Sequence, residues 1–293
     1  MKTLTCLLLA ASILQAAEVS GAMPGAALVG GSGRLFRLDA AGHIVWEHPA
    51  GLVHDAWLLD NGNILFADGK GVTEVTKDHR VVFEYKAQAH DGTYACQRLA
   101  NGNTMIGENS SGQVLEVDGT GKVLFRLQTS PFTAGAHHNF RMVRKLDSGN
   151  YLVCHSGAHM VKEYAPDGTV KLEIHTPNLA FAAIRTDAGT TLVSTLDRII
   201  EYDQEGKPVW QFAAGDLPGI TIRNMTGVHL LGNGNLAIGC YSAYQNGEGT
   251  GLLEITRDRK LVWRYADPGA DKSLMSIQRL DHEGRRLAGP CRR

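Results

Sequence analysis

The chain has 293 residues, and its 29 lysines and arginines stand against 30 aspartates and glutamates for a formal charge of −1. A balance this even excludes the broad electrostatic attraction that draws proteins to nucleic acid or anionic membranes, so any charge preference has to be local. With 43% hydrophobic residues and 34 glycines, the chain has the mass to bury a large core and the turn content of an all-β protein.

Residues 1–22 read as an export signal: Lys2, an apolar stretch from Leu4 to Leu14, then small residues with a cleavage site after Ser20-Gly21-Ala22 or nearer Ala16. The apolar run is too short to span a bilayer. The expectation is a secreted or periplasmic monomer with no integral membrane segment once the signal is removed. Residues 23–293 then form a single domain. Export leaves Cys96, Cys154, Cys240 and Cys291 in a compartment that permits disulfides. Cys96 and Cys154 fall where other repeats carry Ala, Val, Gly or Ser, so both read as core. No Cys-x-x-Cys occurs, which argues against structural zinc.

Three strands are predicted next, at Ala27-Leu28-Val29, Leu35-Phe36-Arg37-Leu38 and Ile44-Val45-Trp46. A short phrase then recurs: Asp60-Asn-Gly-Asn63, Ala100-Asn-Gly-Asn103, Asp147-Ser-Gly-Asn150, Asp187-Ala-Gly-Thr190 and Gly232-Asn-Gly-Asn235. Each copy separates apolar runs such as Leu58-Leu59 and Ile64-Leu65-Phe66, the pattern of strand, tight turn, strand. The central glycines lie 40, 47, 40 and 45 residues apart, the period of a four-stranded propeller blade. A second phrase, Val45-Trp46, Val82-Phe83, Leu124-Phe125, Lys171-Leu172, Val209-Trp210 and Val262-Trp263, marks six outer strands. The chain closes with a lone inner strand, Ser276-Ile277-Gln278-Arg279-Leu280, and a degenerate turn at 281–284. The fold expected is a six-bladed β-propeller in which the N-terminal strands pair with a C-terminal strand, leaving no long edge open.

The repeat also separates scaffold from site. Glu74, Glu116, Glu163, Glu201 and Glu254 occupy one strand position in five blades, with Arg37 in the sixth, and so read as a structural ring. Polar residues that do not repeat are free to bind. The approach to the inner strands carries His54, Asp55, His90, Asp91, Tyr94, His137, His138, Asn139, Arg141, Arg223, Asn224 and Lys272. The ends of the second strands carry Asp68, Glu108, Asn109, His155, Cys240 and Tyr241. Propeller topology brings both groups to one face near the axis, which predicts a polar mouth there. His43, His48, His79, His175 and His282 fall in outer turns or strand ends and read as solvated, and His229 as structural.

Three chemistries can use this mouth. The first is acid–base or nucleophilic catalysis by His138 or His155, with Arg141 stabilising an oxyanion, carboxylate or sulfate. In that reading His54, Asp55, His90, Asp91, Tyr94, His137, Asn139, Glu108, Arg223, Asn224, Tyr241 and Lys272 bind the substrate. The second is Lewis-acid chemistry by a divalent metal on His54, His90, His138 and His155. The third is binding without turnover. No Gly-x-Ser-x-Gly, His-Glu-x-x-His or phosphate loop is present.

The segments Gly33-Arg-Leu-Phe-Arg-Leu-Asp-Ala-Ala-Gly-His-Ile-Val-Trp46 and Leu252-Leu-Glu-Ile-Thr-Arg-Asp-Arg-Lys-Leu-Val-Trp263 resemble quinoprotein (pyrroloquinoline quinone, PQQ)-like propeller repeats. His54-Asp-Ala-Trp-Leu-Leu-Asp-Asn-Gly-Asn-Ile-Leu-Phe66 is similar to the His-Asp plus Asn-Gly-Asn phrase of arylsulfotransferase-like propellers, and His138-Asn-Phe-Arg141 is a looser match. The resemblance covers nearly all of the chain after the signal, mostly as blade consensus. It implies a histidine sulfate carrier with basic neighbours, parts for which His54, His90, His138, His155, Arg141 and Arg223 are present. Nothing beyond the repeats points to PQQ. The function expected is binding, with or without conversion, of a small, partly anionic ligand of the carbohydrate or aryl sulfate class. The alternatives are a non-catalytic envelope propeller that binds a ligand, glycan or protein, and a metal-assisted lyase or hydrolase.

Overall fold

The computed structural model describes residues 18–21, 23–89, 92–267 and 272–293. Six sheets stand around an axis, as the repeat predicts. Blade one is Asp55–Leu58, Ile64–Ala67, Gly71–Val75 and Val81–Lys86, paired in that order from the axis outward. Blades two to four follow from Thr93–Arg98, Val143–Lys145 and Ala182–Arg185, and blade five from Met225–Leu230. In the closing blade Leu274–Arg279 is the inner strand, and Ala27–Leu38 supplies both middle strands. Its residues 27–31 pair with Leu274–Arg279, and its residues 32–38 pair with Ile44–Leu52.

Burial follows distance from the axis. Inner strands such as Asp55–Leu58 are buried throughout, whereas outer strands alternate: in Val81–Lys86 only Phe83 and Tyr85 are buried. The core lies between blades, where Trp57, Leu65, Val72 and Phe83 of blade one meet Cys96, Ile106 and Leu115 of blade two. Each such side chain contributes roughly 1.5–3 kcal/mol when removed from water. Close to the axis there is no room for bulk. A Cβ on Gly239 would lie 2.3 Å from the Leu274 carbonyl oxygen, so the repeat position shared by Ala67, Gly107, Cys154, Ser194 and Gly239, always a small residue, marks a steric limit. Cys96, Cys154, Cys240 and Cys291 are all free.

The recurring turn does more than reverse the chain. In blade one Asn61 Oδ1 accepts the Asn63 N–H at 3.0 Å, and Gly62 takes φ 80°, which only glycine adopts freely. Asn63 Nδ2 then donates to Glu74 at 2.7 Å, and Arg98 of blade two donates to the other carboxylate oxygen. The device repeats: Glu163 accepts from Asn150 and from Arg185 of the next blade, each at 2.7 Å. Glu254 accepts from Asn235 at 2.9 Å and from Arg279 of the next blade at 3.2 Å. Lys145 serves Glu116, and Arg257 serves Glu201. The predicted glutamate ring is thus a set of five seams, joining each of blades one to five to the one after it. Arg37, the sixth member, donates instead to the Gly284 carbonyl at 2.5 Å.

Two further elements were not predicted. Glu18–Ser20 adds a fifth strand to the outer edge of blade five, pairing with Leu261–Ala266, although these residues lie within the segment read as a signal. Residues 285–293 continue past the 281–284 turn as a strap across the face that carries the Asn-Gly turns. Arg286 pairs with Asp60 of blade one, and Arg292 with Asp187 of blade four. The Leu230 N–H of blade five donates to the Arg292 carbonyl at 2.9 Å.

Candidate functional site

The face opposite the turns carries the predicted mouth, and its best-defined part is built from blades one to three. Tyr94, at the start of its inner strand, brings its hydroxyl to 2.9 Å from His137 Nδ1. The Arg141 guanidinium carbon lies 4.5 Å from the centre of the Tyr94 ring, a cation–π contact. Arg141 also donates to the His137 carbonyl at 2.8 Å and to His138 Nδ1 at 2.7 Å. The His54 ring sits against the other ring of the set, 4.1 Å from Tyr94. Five side chains chosen from sequence thus form one connected cluster.

The loop that carries His137 and His138 is held by an amide clasp. Asn139 accepts the Thr133 N–H at 2.8 Å and donates to the Thr133 and Asn109 carbonyls at 2.9 and 3.2 Å. Asn109 returns a bond to the Ala136 carbonyl at 3.2 Å and accepts the Phe140 N–H at 3.0 Å. Asn139, predicted to bind substrate, is buried and positions the loop.

The cluster's electrostatics follow from crowding of cationic and imidazole groups. Burial holds His54 well below the ordinary histidine range, and Arg141 and His137 push the same way. His138 is lowered by burial and by the same two neighbours. Because Arg141 donates to its Nδ1, neutral His138 carries its proton on Nε2 and offers that N–H to the exposed side of the loop. His138, the exposed member, therefore presents an imidazole N–H, and the buried Arg141 guanidinium behind it adds positive charge, a combination that suits an anion.

At the axis the cluster borders a pit of about 20 Å³, lined by His54, Tyr94, Arg141, Met142, Phe181, Thr226, Gly227 and Met275, room for one water-sized group. All six blades contribute to it. Met142, Phe181 and Met275 are apolar and so do not stand out among the polar departures from the repeat. Their register, at the start of the inner strands, was the available signal.

Other predicted residues sit elsewhere. His155 is fully buried, with Nε2 2.8 Å from the Tyr164 hydroxyl, which itself donates to the Ser130 carbonyl at 2.6 Å. It does not open onto the mouth, because its strand end is covered by the loop that precedes blade three. Burial brings its pKa down to about 4. Glu108 is buried and accepts from the Tyr85 hydroxyl at 2.9 Å and Ser111 at 2.6 Å. Asp55 turns down the axis to Arg144, at 2.7 and 3.0 Å. Asp68 staples the Gly51 N–H at 2.9 Å, and Cys240 is buried.

On the blade-five side, Asn224 Nδ2 donates to the Tyr241 carbonyl and the Tyr241 N–H returns a bond to Asn224, each at 2.9 Å. The Lys272 carbonyl accepts the Ala243 N–H at 2.8 Å, and its side chain is exposed. Arg223 is half-buried, with Nε lacking a hydrogen-bond partner among the described residues. His90 and Asp91 lie outside the described residues. Among those described, no three His, Cys, Asp or Glu side chains are placed to share a metal ion, so His54, His138 and His155 do not form the predicted ligand set by themselves. His229, read as structural, is buried and accepts the Arg279 N–H at 2.9 Å.

No protein-family model and no curated protein matches the sequence. Among solved structures, the chain is similar to a protein of unknown function from Bacteroides caccae, with 25% identity and a TM-score of 0.75 over 87% of this chain and 98% of that one. It is also similar to a catalytically inactive histidine-to-alanine variant of virginiamycin B lyase from Staphylococcus aureus with quinupristin, at 11% identity and a TM-score of 0.60 over 87% and 91%. The WD40 propeller domain of Doa1 aligns at 13% identity and a TM-score of 0.57 over 82% and 74%. The last two likenesses are of fold alone.

Proposed function

We propose that this propeller is an exported protein that binds a small, partly anionic molecule of the carbohydrate or aryl sulfate class at the mouth formed by His54, Tyr94, His137, His138 and Arg141. The observation that carries the reading is the Arg141 guanidinium, fixed over the Tyr94 ring and bonded to His138, beside a pit bordered by every blade. A planar guanidinium held this way favours sulfate or carboxylate, and the adjoining rings favour an aryl or sugar face. The resemblance to arylsulfotransferase-like repeats supports the same class. In that chemistry a histidine of the mouth would carry the sulfate, and His138, exposed and neutral, is better placed than His155.

The test is titration with 4-nitrophenyl sulfate and with sulfated saccharides, followed by calorimetry. Loss of a charge-assisted bond costs about 1.5–3 kcal/mol, so His138→Ala and Arg141→Lys are expected to weaken binding by roughly tenfold or more, with the melting temperature of the His138→Ala protein staying near that of the wild type. Unchanged affinity in both variants would overturn the reading. Transfer of the sulfuryl group from 4-nitrophenyl sulfate to a phenol acceptor, with release of 4-nitrophenol, separates a transferase from a non-catalytic binder. Metal-assisted lyase chemistry, a second reading prompted by the lyases among the structural neighbours, predicts a stoichiometric divalent metal on elemental analysis that His54→Ala removes.

A further inference from the structure

The axis of the propeller has a second end, on the turn face, and it is built around one side chain. Arg293, 2% exposed, donates from Nε to the Ile277 carbonyl at 2.9 Å and from Nη2 to Ser276 Oγ at 2.9 Å. Its Nη1 donates to the Ala56 carbonyl, and its guanidinium carbon lies 4.7 Å from the Trp57 ring centre. Strands from blades one and six thus supply three acceptors and an aromatic face in the geometry of a planar, forked donor.

Charge accounting shows that the occupant is separable from the scaffold. Asp55 is already bound twice by Arg144, and Arg293 Nη2 approaches its carboxylate only to 3.9 Å. Removing the Arg293 side chain therefore strands no buried carboxylate. The residues leading to it pack loosely as well. Ala288, Gly289 and Pro290 are exposed, and cavities of about 380 and 550 Å³ adjoin the strap. The strap is held at its polar latches, Arg286, Arg292 and Arg293, with Cys291 between them packed against the core of blades one and two.

We propose that the turn-face end of the propeller axis is a guanidinium-recognition site, filled in cis by Arg293 and open to guanidino compounds when that side chain is absent. The site is distinct from the mouth and stands whether or not the mouth binds an anion. Specificity comes from shape: an ammonium group has its three donors on one nitrogen and cannot face Trp57 while reaching acceptors on two blades.

Chemical rescue in the full chain tests this. Arg293→Ala is expected to lower the melting temperature, and millimolar ethylguanidine to restore about 2–4 °C of it. Wild-type protein treated in parallel measures the general denaturing effect of guanidines, and ethylammonium should rescue nothing. Equal rescue by ethylammonium, or none by ethylguanidine, would overturn the proposal. Should Arg293→Ala fail to fold, Arg293→Lys decides. It keeps charge and stem, so a melting temperature equal to wild type would show that the site reads charge alone, whereas a loss supports guanidinium recognition.

Discussion

Histidines of this chain differ in fate by small differences of position. His138 and His155 are both strand-end or loop residues on the mouth side, yet one is exposed and the other sealed beneath the loop that carries the first. The sealed imidazole has a measurable signature. Its pKa falls from the ordinary 6.5 to about 4 on folding, so the unfolded chain takes up the proton first as pH drops. Stability from this group is full above about 6.5 and declines until about 4, by on the order of 3 kcal/mol. Chemical denaturation across that range should show the decline, and His155→Gln should reduce it, leaving the shares of the other buried histidines, His54 and His229. An unaltered acid limb in the variant would mean that His155 is not shielded. No reading of residue types distinguishes these cases, because the covering loop is a tertiary feature set by Asn109 and Asn139.

Strands and turns were far more legible. Period-two apolar runs and the Asn-Gly phrase marked the hairpin that opens each of blades one to five and placed the closing inner strand at 276–280 against the observed Leu274–Arg279, since turn chemistry and pleat are local. The glutamate ring was recognisable as scaffold, but its partners were not, because each cation lies on the following blade. Arg98, Lys145, Arg185 and Arg279 come from inner strands, whereas Arg257 comes from an outer turn. These seams make a quantitative expectation. Removing Arg185 leaves Glu163, one-tenth exposed, with its turn bond alone, so Arg185→Ala should cost about 1–3 kcal/mol. Glu163→Gln with Arg185→Met should cost less than the sum of the single changes. A double-mutant cycle from urea unfolding reads the coupling, and additivity would show that the seam is decorative.

At the scale of the whole molecule, the six-blade count and the closure by first and last strands follow from the incomplete repeats at the two ends of the blade series. The strap and the extra strand escaped because neither belongs to a repeat. Glu18–Ser20 bears on processing. If the chain is exported, cleavage near Ala16 preserves this strand, whereas cleavage after Ala22 removes it from the edge of blade five. The paired strand favours the earlier site, so N-terminal sequencing of the exported protein should begin at or before Glu18. A mature protein starting at Met23 would exclude the strand from the working molecule.

Closure of the ring also sets an order of events for the newly made chain. Ala27 pairs with Arg279, so the blade whose strands emerge first is the blade completed last. Until Leu274–Arg279 arrives, Ala27–Leu38 presents an unpaired inner edge beside apolar neighbours, the condition in which strands find wrong partners. Pairing over so long a loop is slow to nucleate. Blades one to four, and the four main strands of blade five, are complete within continuous sequence and can form while the first strands wait. A permuted chain that begins at Leu274 and runs on into Ala27 would make the closing pair local, and it should refold faster with the same final structure.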